Sequence, residues 1–238
     1  MKNEKIIAIL GVGPGLGSAV ARRFAREGFA VALMARREDS LRDIHTHITS
    51  ADGRALSLLV DAMDPASISA AFAEVRAKLG DPSVFVYNAG TFRPGSVLEV
   101  KPEQFEMYWK VNCFGAFLSV REVLPAMISR AEGTLLLTGA TASLRGSANF
   151  SGLAVGKFGL RALAQSLARE LGPKGIHVAH VIIDGQIDTP NLRAMSPGRA
   201  ANTLLSPDAI AQTYWNLHNQ DATAWTLEQD IRPSVEKF

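Results

Sequence analysis

One cysteine, Cys113, in 238 residues leaves no partner for an internal disulfide and suits a reducing compartment. No block of like charges occurs and the formal net charge is only +2, so nothing marks a nucleic-acid or membrane surface. No stretch approaches the ~20 apolar residues of a membrane helix. The apolar run after Lys2 and Lys5 is broken at Gly11, too soon for the apolar heart of a signal peptide. Metal-ligand spacing is missing too. His45 and His47 fall on different faces of a helix, His177 and His180 on opposite sides of a strand, and no zinc or paired-carboxylate constellation is visible. Internal repeats, low-complexity tracts and linkers are also lacking. The expectation is one soluble, cytoplasmic domain spanning 1–238, with no metal, no nucleic acid and no membrane among its partners.

What is present is a sizeable apolar fraction, 47%, arranged in short runs that alternate with helical patterns. Strands are expected at 5–10, 29–35, 55–61, 84–88, 134–139 and 176–184, each a near-continuous apolar run of the kind that parallel strands buried on both faces require. Helices are expected over 15–27, 37–51, 65–79, 102–130 and 152–171. Pro125 should bend or interrupt the fourth, and Gly172-Pro173 ends the fifth. Alternating strand and helix units imply a doubly wound α/β fold of Rossmann type, with ligand at the carboxyl ends of the strands. Residues 190–205 are polar and small, a lid or a disordered loop. Ser206 and Pro207 then make a good N-cap and first residue for a helix to about 219. In 224–232, Trp225, Leu227 and Ile231 alternate with Thr226, Glu228, Asp230 and Arg232, the pattern of a seventh strand. Its charged face reads equally as a subunit contact or a solvated edge.

The run 6–17, IIAILGVGPGLG, organises the rest. Four glycines, Gly11, Gly13, Gly15 and Gly17, separate a buried strand from a helix beginning near Ser18. Such a turn lets backbone approach a pyrophosphate and aims free N–H groups at it. Similar loops occur in methyltransferases and in plain turns, but the strand-then-helix context favours a dinucleotide. At the end of the second strand Ala35 stands where an acid would bind a free ribose 2′-hydroxyl, and Arg36 and Arg37 follow. A guanidinium grips a 2′-phosphate in a fork geometry, which favours NADP(H) over NAD(H); two solvated arginines are the bland alternative. Asp61, ending the third strand, is a partner for the adenine amine or a helix cap with Asp64.

The glycine run, Asp61, Asn88-Ala89-Gly90, Asn112, Lys157 within GKFGLRALAQSLARELGPKGIHV, and the segment from Gly185 to Thr189 together resemble a short-chain dehydrogenase/reductase over roughly 5–190. The resemblance implies a seven-stranded parallel sheet with helices on both faces, a homodimer or homotetramer, and a cofactor bordered also by Leu16, Ala62 and Ile187. It implies that Asn88-Ala89-Gly90 supports the central strand, that Lys157 binds the nicotinamide ribose, and that Gly185–Thr189 closes over the nicotinamide. Family chemistry is hydride transfer at a carbonyl or alcohol. A tyrosine four residues before the lysine handles the proton, a serine thirteen before the tyrosine holds the oxygen, and an asparagine, here Asn112, supports a water relay. This chain departs from that pattern. Leu153 stands four before Lys157 and Ala140 thirteen before Leu153, and neither can donate a proton. Thr138, Thr141 and Ser143 are nearby hydroxyls that could orient a carbonyl or simply bond backbone. Asp184, where the family usually has proline, is a speculative proton donor or partner of Lys157. Tyr87 and Tyr108 lack the lysine spacing and suit core or subunit surface. An apolar substrate pocket is expected from Leu153, Ala140, Phe92, Phe150 and 186–205. Two functions follow: an oxidoreductase with atypical proton handling, or a non-catalytic NADP(H)-binding sensor or scaffold. A structural relic without cofactor is disfavoured by the intact loop.

Overall fold

The computed structural model describes residues 5–236. The apolar runs become β1 (Ile6–Leu10), β2 (Ala30–Ala35), β3 (Ala55–Leu59), β4 (Val84–Tyr87), β5 (Gly133–Thr138) and β6 (Ile176–Ile183). Together with a last strand they form one seven-stranded parallel sheet. Alternate residues face opposite sides. Ile7 and Ile9 pack with α1 (Leu16–Ala25) and α2 (Asp39–Thr49), whereas Ala8 and Leu10 pack with α3 (Pro65–Lys78) and helices that follow it. Burial on both faces is why these strands, apart from the edge strand β3, are apolar throughout rather than alternating. Each fully buried Ile, Leu or Phe contributes about 1.5–3 kcal/mol.

The helical stretch 102–130 is not interrupted at Pro125. It divides into α4 (Pro102–Trp109), a π-helical turn (Lys110–Phe114) and α5 (Gly115–Arg130), and α5 runs through Pro125. The wide turn carries Asn112 inward, where its Nδ2 donates to the carbonyls of Tyr108 (2.9 Å) and Thr91 (2.7 Å). By length and composition alone Pro102–Arg130 would pass for a membrane span, which the reading of apolar runs missed. In the fold it packs on α3, β4, β5 and α6 (Ser151–Leu171).

Residues 186–205, expected in part as a lid or disordered loop, carry their own structure. β7 (Gln186–Ile187) pairs with β8 (Leu204–Leu205) and encloses α7 (Pro190–Met195). α8 (Pro207–His218) starts as expected on Ser206, whose hydroxyl accepts from Ala209 N–H. The last strand, β9 (Glu228–Ile231), is shorter than its alternating pattern. Upstream of it Trp225 lies flat on His177, ring centroids 5.0 Å apart, and His177 Nε2–H donates to Thr226 O at 2.9 Å. Glu228 is not a solvated edge residue. It takes a bidentate pair from Arg161 at 2.7 and 2.8 Å and a bond from Gln165, latching β9 to α6. Those bonds, Arg161's first, hold the Glu228 carboxyl down at about 2.

The sheet runs β3-β2-β1-β4-β5-β6-β9, so chain order reverses direction between β1 and β4. The crevice outside the carboxyl ends of those two strands is where such a sheet binds ligand.

Candidate functional site

Backbone geometry builds one half of the site. Gly11 follows β1 with φ +106°, and a Cβ there would stand 2.3 Å from Ala89 N. At Gly17 a Cβ would meet Gly11 O at 2.7 Å. Only glycine lets β1, β4 and α1 approach so closely. Gly13 is different, because a Cβ there would meet nothing within 4 Å: it faces open space. Asn88 Nδ2 donates to Gly11 O at 2.8 Å and ties the end of β4 to the turn. Ser18 fixes the other side by donating to Gly13 O at 2.6 Å. α1 opens at Gly15 with no side-chain cap and no acid in its first turn, so its end keeps the N–H donors and positive dipole that suit an anion.

Two hollows meet at this turn. One, of about 650 Å³, runs from Gly11 and Gly13 past Asn88–Gly90 to Arg36, Arg37 and Ser40. The other, of about 410 Å³, shares Gly11, Gly13, Asn88 and Gly90 and extends to Thr138–Ala140, Gly185, Ile187 and Thr189. The pair makes a groove across the carboxyl ends of the strands, open where the turn leaves space for a diphosphate. A dinucleotide fits this donor set.

At the first end, Ala35 lines the wall, and Arg36 and Arg37 are exposed with no ion pair among the described residues. Glu38 lines a separate groove beside α2 instead. Val60 and Ala62 line the cavity, and Asp61 between them, half-buried, bonds within its own chain. Its Oδ1 accepts from Met63 N–H at 2.9 Å and its N–H donates to Ser67 Oγ. Asp64, not Asp61, caps α3. Ser40, in the first turn of α2, was not anticipated. Its signal was its place one helical turn beyond Arg36.

The second end is assembled from side chains. Lys157 is buried on α6, its Nζ donating to Thr138 O at 2.7 Å, and burial lowers its pKa to about 8. The ammonium's two other N–H groups have no acceptor among the described residues. A Cβ on Gly90 would lie 3.7 Å from Nζ, so the charge sits directly behind the groove wall. Asn112 is buried against Thr91, accepting its N–H and donating to its carbonyl. Close packing of the π turn on Gly156 holds it there. Thr189 caps α7 and lies against Gly15, joining the 186–205 flap to the glycine turn.

Leu153 lies one turn before Lys157, on the same face of α6, and Ala140 lines the groove. None of the neighbouring hydroxyls is left free. Thr138 Oγ1 shares a hydrogen bond with Tyr214 at 2.8 Å, Thr141 donates to Asp184, and Ser143 accepts from Ala140 N–H and pairs with His180. Asp184 does not reach Lys157. The buried carboxylate is held by Thr141 and by Arg232 at 3.4 Å, and its neighbours Ile183 and Gly185 line the groove in its place. Its pairing with Lys157 was mis-set because Arg232, 48 positions away, is invisible from local sequence. Tyr87 is core, donating to Val111 O. Phe92 and Phe150 touch, centroids 5.7 Å apart, but line neither hollow.

A family model described as short chain dehydrogenase matches residues 5–200. The 3-oxoacyl-[acyl-carrier-protein] reductase FabG of Escherichia coli is 31% identical over 200 residues, covering 84% of this chain and 80% of that protein. A short-chain dehydrogenase from Rhodopseudomonas palustris superposes with a TM-score of 0.84 at 37% identity, covering 96% of this chain and 98% of that one. A metagenomic short-chain oxidoreductase solved in complex with NADP gives 0.84 at 28% identity, with 98% of each chain covered.

Proposed function

The chain belongs to the short-chain dehydrogenase family of oxidoreductases, and from that premise we propose that it binds NADP(H) in preference to NAD(H) and acts on a small carbonyl or alcohol with proton handling unlike the family's. The observation that carries the cofactor choice is the end of β2: Ala35, then two arginines with no ion pair among the described residues, beside Ser40, with no carboxylate among the residues that line the cavity. A 2′-phosphate there gains charge-assisted bonds, and a bare ribose loses its usual acid. The glycine turn and the start of α1 hold the diphosphate, Lys157 offers its two remaining N–H groups to the ribose at the far end, and Asn112 fixes the loop after β4. Bound there, a nicotinamide supplies or accepts a hydride. Leu153 and Ala140 occupy the positions where the family keeps its acid and its oxygen-holding hydroxyl, which is what makes the site atypical. The same two residues favour a second reading, a non-catalytic NADP(H)-binding sensor or scaffold.

Assembly is part of the proposal. Phe105, Trp109 and Phe117 of the α4–α5 stretch, with Val155 and Phe158 of α6, are exposed. Trp109, Phe114 and Phe117 stack in a row at 5.2 and 6.3 Å. An apolar face of this kind suits burial in a homodimer or homotetramer, in a soluble, cytoplasmic protein. The test is titration of the purified protein with NADPH and NADH, followed by nicotinamide fluorescence and thermal shift. Stabilisation of ~2.7 kcal/mol is expected at a hundredfold excess of NADPH over its Kd. Equal binding of the two cofactors would remove the assignment to NADP(H).

A further inference from the structure

The inner end of the groove combines a fixed positive charge with an unusual lack of acids. None of the three tyrosines lines either hollow. Tyr87 is bonded to Val111, Tyr214 to Thr138, and Tyr108 is buried with its ring against Gly152. The hydroxyls of Thr141 and Ser143 are committed to Asp184 and His180, and Asp184 is held by Arg232. Ala140, which lines the groove, and Leu153, half-buried on α6 one turn before Lys157, bring no acid to this end.

Reduction of an isolated ketone leaves an alkoxide about as basic as hydroxide, whose conjugate acid has a pKa of ~16. Such an oxygen must receive a proton in the same step. A conjugated carbonyl is different, because addition at its β-carbon leaves an enolate with the charge spread over three atoms. An enolate or phenolate-like oxygen, with a conjugate acid near ~10 for a phenol, can persist if a cation faces it. We propose that this site is matched to an α,β-unsaturated carbonyl compound, whose reduction passes through a delocalised enolate stabilised by the charge of Lys157. The proposal rests on the NADP(H)-binding reading above. In the balanced step, the β-carbon gains a C–H bond with two electrons and one hydrogen nucleus from the reduced nicotinamide. The C=C pair shifts, and the carbonyl π pair comes to rest on oxygen. Water then protonates the α-carbon. No side chain of the protein gives up a proton, so Leu153 and Ala140 cost this reaction nothing, and the apolar wall at Ala140 suits the hydrocarbon frame of the acceptor.

The matched pair cyclohex-2-enone and cyclohexanone tests this with the full-length protein and NADPH, cofactor binding being followed separately by fluorescence. The expected product of the enone is cyclohexanone, with turnover at least about tenfold faster than any reduction of cyclohexanone itself. A second readout needs no turnover: 4-nitrophenol, titrated by absorbance in the presence of the protein, mimics the enolate. An ammonium within about 4–6 Å should favour the bound phenolate about tenfold or more over the free equilibrium, and Lys157→Met should abolish the preference. Formation of cyclohexenol or cyclohexanol would overturn the proposal. A ketone rate that falls as pH rises through about 8 would do the same, because it would make Lys157 the acid. Bound NADPH with neither enone turnover nor a phenolate preference also overturns it. Absence of NADPH binding would remove the underlying reading instead.

Discussion

The two ends of the groove are built on opposite plans. At the adenosine end the work is done by backbone and by groups left without partners: the glycine turn, the uncapped start of α1, and the exposed Arg36 and Arg37. At the nicotinamide end the hydroxyls and the carboxylate nearest Lys157 are already paired within the protein, through Thr138–Tyr214, Thr141–Asp184–Arg232 and Ser143–His180. A ligand-binding backbone survives changes in its side chains. Acid–base chemistry depends on one or two side chains and disappears with them. On the proposed reading, this chain keeps the cofactor half of the fold and alters the reactive half.

The difference can be broken from either side. Supplying the missing groups with Leu153→Tyr and Ala140→Ser together should have the largest effect. Reduction of simple ketones should rise by ~10²–10⁴, measured as NADPH oxidation over a carbonyl panel. A folded, NADPH-binding double variant that reduces nothing would show that the rest of the pocket has diverged too. Next comes damage to the backbone half. Gly11→Val forces a side chain onto Ala89 N from a left-handed φ, and should cost about 2–5 kcal/mol in urea unfolding and remove NADPH binding.

The polar groups turned inward can be tested by pH. Burial lowers His180 and His218 to about 4 and also lowers His177. In the unfolded chain these rings titrate near 6.5, so between about 6.5 and 4 the unfolded state binds more protons. Stability is therefore fully present above 6.5 and is lost as pH falls toward 4, on the order of 3 kcal/mol for each of His180 and His218. Urea midpoints measured across that window should show the fall, and His180→Gln should lessen it. The smallest effect is expected at Glu228→Gln, which weakens the latch between β9 and α6 by about 1 kcal/mol. It should leave NADPH affinity unchanged, since Glu228 touches neither hollow.

How much was legible in the sequence follows the same division. The glycine turn, the six apolar strands and the arginines after Ala35 are local signals, and strand–turn–helix spacing is enough to read them. The side-chain end depends on contacts between distant positions. Lys157 reaching Thr138 O, Asp184 meeting Arg232, and Glu228 meeting Arg161 are set by which strands lie side by side. The π turn at Lys110–Phe114 was hidden because an apolar helical run looks the same whether one turn is wide or not, whereas the conspicuous Pro125 does not interrupt α5.

The central claim is that the end of β2 selects a phosphate. Calorimetric titration with adenosine 2′,5′-bisphosphate and with AMP isolates that end from the nicotinamide chemistry. The account predicts that the bisphosphate binds the wild-type protein about ten- to hundredfold more tightly than AMP, and that Arg36→Asp erases the difference, as loss of charge-assisted bonds worth about 1.5–3 kcal/mol requires. Equal affinities in the wild type, or a preference untouched by Arg36→Asp, would contradict it.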